Sequence, residues 1–405
     1  MEKIFTERAH LMCPCMCFGI ATAVNYPLDK ERLTASFDVL AQNHPFLRSV
    51  IGYDAKDNGY FYDVSDESRI DLTISDEVIT GLEDPRLIEK YKSLTGYDWN
   101  IMSEGLLKVV SWGVDSGTVL LLVFHHLLAD GRGAMDLASE FADIYVEDRV
   151  RGAADEKLIS SVRDLPENSG LPFISKMLVD KANRDWKKEG KEPVSFEQYH
   201  EFADRFVKGD KTVVSLNRTS SDELEKLLTE CRDHSVTLND YLMAKMFTED
   251  KTDKIIIAKD IRDSLTSYNK GSLGNYSTAF SIEIKNTDRN IWTIASEVHK
   301  KVQRALASPK DLYLVLQCYA ALNPAVLDCA FMAAKGAFES RSAGFIGKLF
   351  FGFEEAKGYS ITNLGKIDNK NMTAGCFIPP ASPAIRKTVG VLTVNGEMVS
   401  CICER

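Results

Sequence analysis

The chain is 405 residues long with 44% apolar and 27% charged side chains, an ordinary globular balance that excludes intrinsic disorder and predicts about two or three domains. Lys and Arg number 49 against 59 Asp and Glu, a net charge of −10; with no basic block, such a chain is a poor non-specific nucleic-acid binder. Its 9 cysteines form an odd set clustered as Cys13, Cys15, Cys17 and Cys401, Cys403, too few for a disulfide scaffold and suited to a reducing cytosol.

Nothing around Met1-Glu2-Lys3 reads as a secretory leader, and the apolar stretch Leu11–Val24 is too short to span a bilayer as a helix. That stretch, with Pro14 early, predicts a buried strand on which Cys13, Cys15 and Cys17 face one way. A helix follows over Asp29–Gln42, with Leu33, Phe37 and Leu40 on one face, and His44-Pro45 should end it because a residue before proline avoids helical geometry. Phe46–Tyr53 then reads as extended. Leu106–Gly113 and Thr118–Phe124 are apolar runs separated by Val114-Asp115-Ser116-Gly117, a hairpin signature, and His125 and His126 follow at once. A helix starts near Gly133.

Between Val150 and Asp210 charge and proline dominate, which predicts an exposed crossover between an N-terminal half (residues 1–150) and a C-terminal half (212–405), the linker covering 151–211. In the second half, Ser220-x-x-Glu223 is a capping box and Thr237-x-x-Asp240 opens a second helix. Lys254–Ala258 and Tyr276–Ile284 read as strands, Ile291–Leu306 as a helix, and Asn395-Gly396 as the turn of a closing hairpin. Leu312–Phe338, interrupted by Asn323-Pro324, Asp328 and Lys335, reads as buried helices, with a membrane-contacting surface as the lesser alternative. Both halves mix strands and helices, so the fold class is α/β, a pair of two-layer sandwiches.

Chemistry concentrates in His125-His126-Leu127-Leu128-Ala129-Asp130-Gly131, which leaves an apolar strand through a loop into a helix. Alternation points the two imidazoles apart, so one at most enters a given channel. An imidazole there can take a proton from an attacking alcohol or amine and return it to a leaving thiol. Taken alone, the stretch reads equally well as core histidines beside an N-capping aspartate. Three cysteines spaced C-x-C-x-C lack zinc-like spacing, so no metal is expected, and His200, His234 and His299 read as solvent-facing. The chain has no G-x-S-x-G, G-x-G-x-x-G or P-loop.

The heptapeptide resembles the HHxxxDG motif of the chloramphenicol-acetyltransferase-like superfamily, matching it at His125, His126, Asp130 and Gly131. His44-Pro45-Phe46-Leu47-Arg48, Thr237-x-Asn239-Asp240, Asp260-Ile261-Arg262 followed by Gly274-Asn275, and Ser360–Gly365 are similar, in order, to further stretches of that superfamily. The resemblance implies two acetyltransferase-like halves forming a pseudo-dimer around an active-site tunnel. It implies His126 as catalytic base and His125 as structural. Asp130 would be held by Arg262 or, second, by Arg48, and Gly131 would leave the pantetheine arm unobstructed. Asn275, Thr362 and Asn363 are the implied substrate contacts, the last two or backbone amides serving as oxyanion donors. The implied activity is a stand-alone acyltransferase, for acyl groups other than aminoacyl. Acyl-CoA or an acyl-carrier-protein thioester would be co-substrate, with no cofactor, in a cytoplasmic monomer without a transmembrane segment. A silent scaffold of the same fold and an amide-forming, carrier-dependent condensation enzyme are the alternatives; the plant D-F-G-W-G signature is absent.

Overall fold

The computed structural model describes residues 2–56, 59–153, 155–266, 268–351 and 356–405. Its strands form a five-stranded, a six-stranded and a three-stranded sheet. The N-terminal sheet centres on Gly117–His125, an apolar run buried along its whole length between Cys17–Val24 and Leu107–Val114. The turn into it needs Gly117 (φ 142°), where a Cβ would fall 2.1 Å from the Val24 carbonyl oxygen. The helices Lys30–Asn43 and Gly131–Glu147 pack together, Phe37 stacking on Phe141 at 4.5 Å. Asp29 caps the first helix at the Arg32 amide, 3.0 Å away, and extended backbone at His44 ends it before Pro45.

The C-terminal sheet runs Ser277–Glu283, Lys254–Asp260, Gly358–Ile367, Ile385–Val394, Glu397–Glu404, Val213–Thr219. Its last hairpin turns at Asn395 (φ 49°) and Gly396 (φ 92°), the left-handed pair that an Asn-Gly turn supplies. Both capping boxes form, opening Ser221–Asp233 and Leu238–Glu249. One strand changes halves: Met372–Ile378 pairs antiparallel with Cys17–Val24, so the N-terminal sheet ends on a strand from late in the chain. The halves are therefore laced together by backbone as well as by side chains.

Several expectations need correction. The strand expected over Leu11–Val24 starts only at Cys17; Cys13 and Cys15 lie in a turn, Cys15 at φ 61°, after the short helix Arg8–Leu11. Phe46–Tyr53 divides into a 3-10 turn, Pro45–Arg48, and the strand Ser49–Asp54, because Pro45 presets the first φ for a turn. The stretch 151–211 is no bare linker: Phe173–Glu189 and Phe196–Lys208 are helices that bury Val179, Ala182, Trp186, Tyr199 and Ala203 in the main core. Their charges occupy the outer faces, and the inner apolar spacing survives beneath a polar average. His200 and His299 are not free in solvent; their Nδ1 atoms lie 2.7 Å from Asp98 and 2.8 Å from the buried Asp240, while His234 is exposed and stacks on Trp292. Leu312–Phe338 forms Leu314–Ala321 and Pro324–Ala334, bent by 107°, and no single described helix is long and apolar enough to cross a membrane.

Candidate active site

The heptapeptide is the exit of the central strand. The His125 amide donates to the Leu106 carbonyl at 2.9 Å, the His126 amide to the Met16 carbonyl at 3.0 Å, and the Leu128 amide to the His125 carbonyl at 2.9 Å. Asp130 then caps Gly131–Glu147 by accepting from the Gly133 amide at 2.8 Å. The rings diverge as strand alternation requires. His125 faces Trp99, its Nδ1 accepting from the Leu127 amide at 3.3 Å, and burial pushes its pKa down to about 3. His126 lies edge-on to Phe18 and flat beneath His10, the imidazole centroids 4.2 Å apart.

His126 is oriented from the other half of the chain. Its Nδ1 lies 2.9 Å from Asn275 Oδ1, and Asn275 Nδ2 donates to the carbonyls of His126 (2.8 Å) and Leu127 (3.4 Å). Two carbonyls can be served only by the NH2 end of the amide, so Oδ1 faces the imidazole and His126 Nδ1 must carry the proton. Nε2 is left with its lone pair. Burial lowers the pKa of His126 below the usual histidine range, opposed by its own backbone carbonyl, by the Asp130 charge and by Asn275, so the ring is neutral at pH 7. Asn275, expected to touch substrate, has both ends of its amide committed to the motif.

Asp130 accepts from Arg262 Nη1 and Nη2 at 3.0 and 2.8 Å and from the Tyr276 amide at 2.8 Å. Burial works against the Arg262 charge, yet Asp130 and then Asp260 hold its pKa above the ordinary arginine value. Arg48 instead donates to the carbonyls of Ala41 and Ser65 and does not meet Asp130. The carboxylate thus fixes the start of the helix to the second half at a buried point.

A Cβ on Gly131 would lie 2.8 Å from Leu364 Cδ2 and 3.3 Å from Phe377 Cζ, so side chains of the second half take the room beside this glycine. The expected open passage is filled there. Leu364 is the residue of Gly358–Ile367 that packs on the motif; Asn363 Oδ1 accepts from the Gly365 amide at 2.8 Å, and no bond joins Thr362 or Asn363 to His126 among the described residues. A cavity of about 140 Å³ opens on the opposite side of the sheet, reaching His125 rather than His126, between Tyr97, Trp99, Cys13, Cys17 and Cys403. Although Cys13 and Cys15 are not in the strand, all three early cysteines line this cavity. Burial pushes their thiols upward, Cys15 to about 12, and no metal-like cluster of His, Cys, Asp or Glu occurs among the described residues.

Sequence reasoning missed the N-terminal cover of the site. His10 stacks on His126 and is held neutral by burial and then by the two neighbouring histidines. Glu7, one turn earlier, is buried with its carboxyl pushed up to about 7, chiefly by burial, and its Oε1 has no hydrogen-bond partner. Arg8 forms a buried pair with Asp328, and Tyr62 donates to the Leu127 carbonyl at 2.7 Å. Only burial potential at Leu11–Met12 signals this segment in sequence; nothing in its spacing does.

Two mixed halves joined at a histidine-bearing strand exit define the chloramphenicol-acetyltransferase-like pseudo-dimer. Residues 19–248 match the condensation domain, and the chain belongs to that family. It is 25% identical over 251 residues to surfactin synthase subunit 2 of Bacillus subtilis, covering 60% of this chain but 7% of that protein. Among solved structures it resembles the first condensation domain of the calcium-dependent antibiotic synthetase in complex with a substrate analogue (TM-score 0.60, 11% identity, 100% of this chain and 91% of that one). It also resembles the epimerization domain from the third module of tyrocidine synthetase B (0.58, 14%, 99% and 88%). Polyketide synthase associated protein 5 from Mycobacterium tuberculosis is similar again (0.57, 15%, 98% and 92%). At these identities the structural likeness speaks for the fold.

Proposed function

We propose that this chain is an acyltransferase that moves an acyl group from a thioester to a hydroxyl or amine, with His126 as general base. The observation that carries this reading is the Asn275 amide, which fixes the proton on Nδ1 and leaves Nε2 a neutral base. As the acceptor oxygen or nitrogen bonds to the thioester carbon, its proton passes to Nε2 and the carbonyl oxygen becomes an oxyanion. Collapse breaks the carbon–sulfur bond, and the thiolate takes the proton back from the imidazolium. The Nδ1–H bond to Asn275 strengthens while the ring is charged. His125, Asp130, Gly131 and Arg262 shape the turn, and Asn275 is a positioning residue.

The chemistry calls for no metal or redox cofactor, the thioester being supplied as acyl-CoA or on an acyl-carrier protein. The match to the condensation domain over residues 19–248 supports this class of transfer. His126 and Asn275 meet within one chain, which suits a monomer, and the free cysteines suit the cytoplasm. The test is chromatographic detection of coenzyme A released from a panel of acyl-CoA thioesters in the presence of amine and alcohol acceptors. His126→Ala should cut release by about 10²–10⁴ with unchanged thermal unfolding. An active His126→Ala beside an inactive His125→Ala would overturn the assignment.

A further inference from the structure

Five large apolar side chains stand in solvent on two packed helices. Phe173, Ile174 and Met177 are 81%, 67% and 50% exposed on Phe173–Glu189, and Phe345 and Leu349 are 44% and 60% exposed on Arg341–Phe351. The inner faces already supply the packing: Val179, Ala182 and Trp186 on one helix, Ala343 and Ile346 on the other, are buried. Ser342 pins the helices together, its Oγ donating to the Ala182 carbonyl at 2.7 Å and its amide to Glu189 at 2.9 Å. The exposed apolar area is therefore additional to this packing, most of all at Phe173 and Ile174, while Phe345 and Met177 remain half-buried.

Cations continue the same faces. Lys181, Arg184 and Lys188 follow Ile174 and Met177 at alternating steps of three and four, one stripe of a helix, and all are exposed. On the second helix Arg341 and Lys348 are exposed beside Phe345 and Leu349. Lys181 pairs with Asp185 one turn on, a solvent-exposed contact of little strength. Each helix thus presents exposed apolar and cationic side chains together in a chain of net charge −10, with Asp185 near Lys181, Arg184 and Lys188 answering part of the first helix's charge. Behind it, the bend between Leu314–Ala321 and Pro324–Ala334 is braced by Asn183, which donates to the Ala321 carbonyl and accepts from the Asn323 amide. Pro324–Ala334, almost wholly buried, belongs to the core; the surface that could meet an apolar medium is the two-helix face.

We propose that this face docks on an anionic lipid bilayer. Phe173, Ile174, Met177, Phe345 and Leu349 would enter the boundary of headgroups and acyl chains, with the lysines and arginines at phosphate level, as an interfacial amphipathic helix does. Charge selects the occupant: a second copy of this face would set cations against cations. An acidic protein would answer the charge, but side chains as exposed as Phe173 (81%) and Ile174 (67%) are better received by a medium that deforms around them. The inference is independent of acyl transfer.

The experiment is flotation of the full chain with phosphatidylcholine vesicles and with mixed phosphatidylcholine/phosphatidylglycerol vesicles, at low and high salt. Wild type should float with the mixed vesicles, less at high salt, and little with phosphatidylcholine alone. The variant Phe173→Ser/Ile174→Ser/Phe345→Ser/Leu349→Ser should lose about tenfold or more of the binding while circular dichroism shows it folded, its thermal unfolding lowered only modestly because Phe345 and Leu349 are partly packed. A second variant, Lys181→Glu/Arg341→Glu, should lose the gain from phosphatidylglycerol. No flotation with mixed vesicles, flotation equal in wild type and the serine variant, or a soluble dimer or acidic-protein complex that the serine variant abolishes without any vesicle binding would each overturn the proposal.

Discussion

Two buried arginine–aspartate pairs tie the first half of the chain to the second, and their surroundings differ. The Asp130 carboxylate gathers two bonds from Arg262, one from the Gly133 amide and one from the Tyr276 amide, so donors from three segments converge on it. Asp328 accepts from Arg8 Nε and Nη2 at 2.9 and 2.6 Å, yet burial still raises its pKa above the usual carboxylate value. Asp130 thus has four charge-assisted bonds from three segments to set against its burial, whereas Asp328 has two, both from one arginine. The first pair organises a helix start beside the candidate base, and the second closes the N-terminal turn that carries His10 onto that base.

The comparison breaks most visibly at Asp130. Asp130→Ala leaves the buried Arg262 with only the half-exposed Asp260 as counter-charge and removes the helix cap, and should cost about 3 kcal/mol in denaturant unfolding. Adding Arg262→Ala should recover part of this, less than all, because the helix cap and the Tyr276 amide remain unserved. Strict additivity of the two losses would show that the pair is not coupled in solution.

Asn275 carries the effect of this junction to the chemistry. Its bond to the Nδ1–H becomes charge-assisted as the imidazolium forms and is worth about 1.5–3 kcal/mol, so Asn275→Ala should lower kcat by about 10- to 100-fold. The same bond favours the charged ring, so its loss should move the pKa of His126 further down. Because the base must be neutral, activity rises as pH rises through that pKa; the acid limb of the kcat profile should shift to lower pH in the variant. An unshifted limb, or imidazole nitrogen resonances showing the proton on Nε2 in wild type, would remove Asn275 from its positioning role.

What was legible in the sequence follows from how local each feature is. Asp130 and Arg262 stand in recognisable motifs, and their partnership is present in the structure. The helix over Lys30–Asn43, both capping boxes and the Asn395-Gly396 turn are written in neighbouring residues. The helices of 173–208 escaped because charged residues dominate the average composition while Val179, Ala182 and Trp186 keep their inward spacing. The exchange of Met372–Ile378 into the first sheet is a choice of topology, invisible to periodicity. The orientation of the Asn275 amide depends on two carbonyls 148 and 149 residues away in sequence, and the Arg8–Asp328 contact spans 320. No local signal encodes such distances.

The smallest effect belongs to the second pair and sharpens the contrast. Replacing Arg8 by Met and Asp328 by Leu together exchanges a buried pair, whose carboxylate burial disfavours, for apolar packing, in a core that already holds Val326, Leu327 and Phe331. The double variant should lie within about 1 kcal/mol of wild type in denaturant unfolding, whereas Arg8→Met alone, which strands a carboxylate, should cost roughly 3 kcal/mol. The corresponding apolar double at Asp130 and Arg262 cannot be neutral, since no apolar side chain accepts from the Gly133 and Tyr276 amides. If both apolar doubles cost the same, the convergence of donors on Asp130 is not what separates the two pairs. If the Arg8/Asp328 double also leaves acyl transfer unchanged, the N-terminal turn needs only its apolar packing to hold His10 over His126.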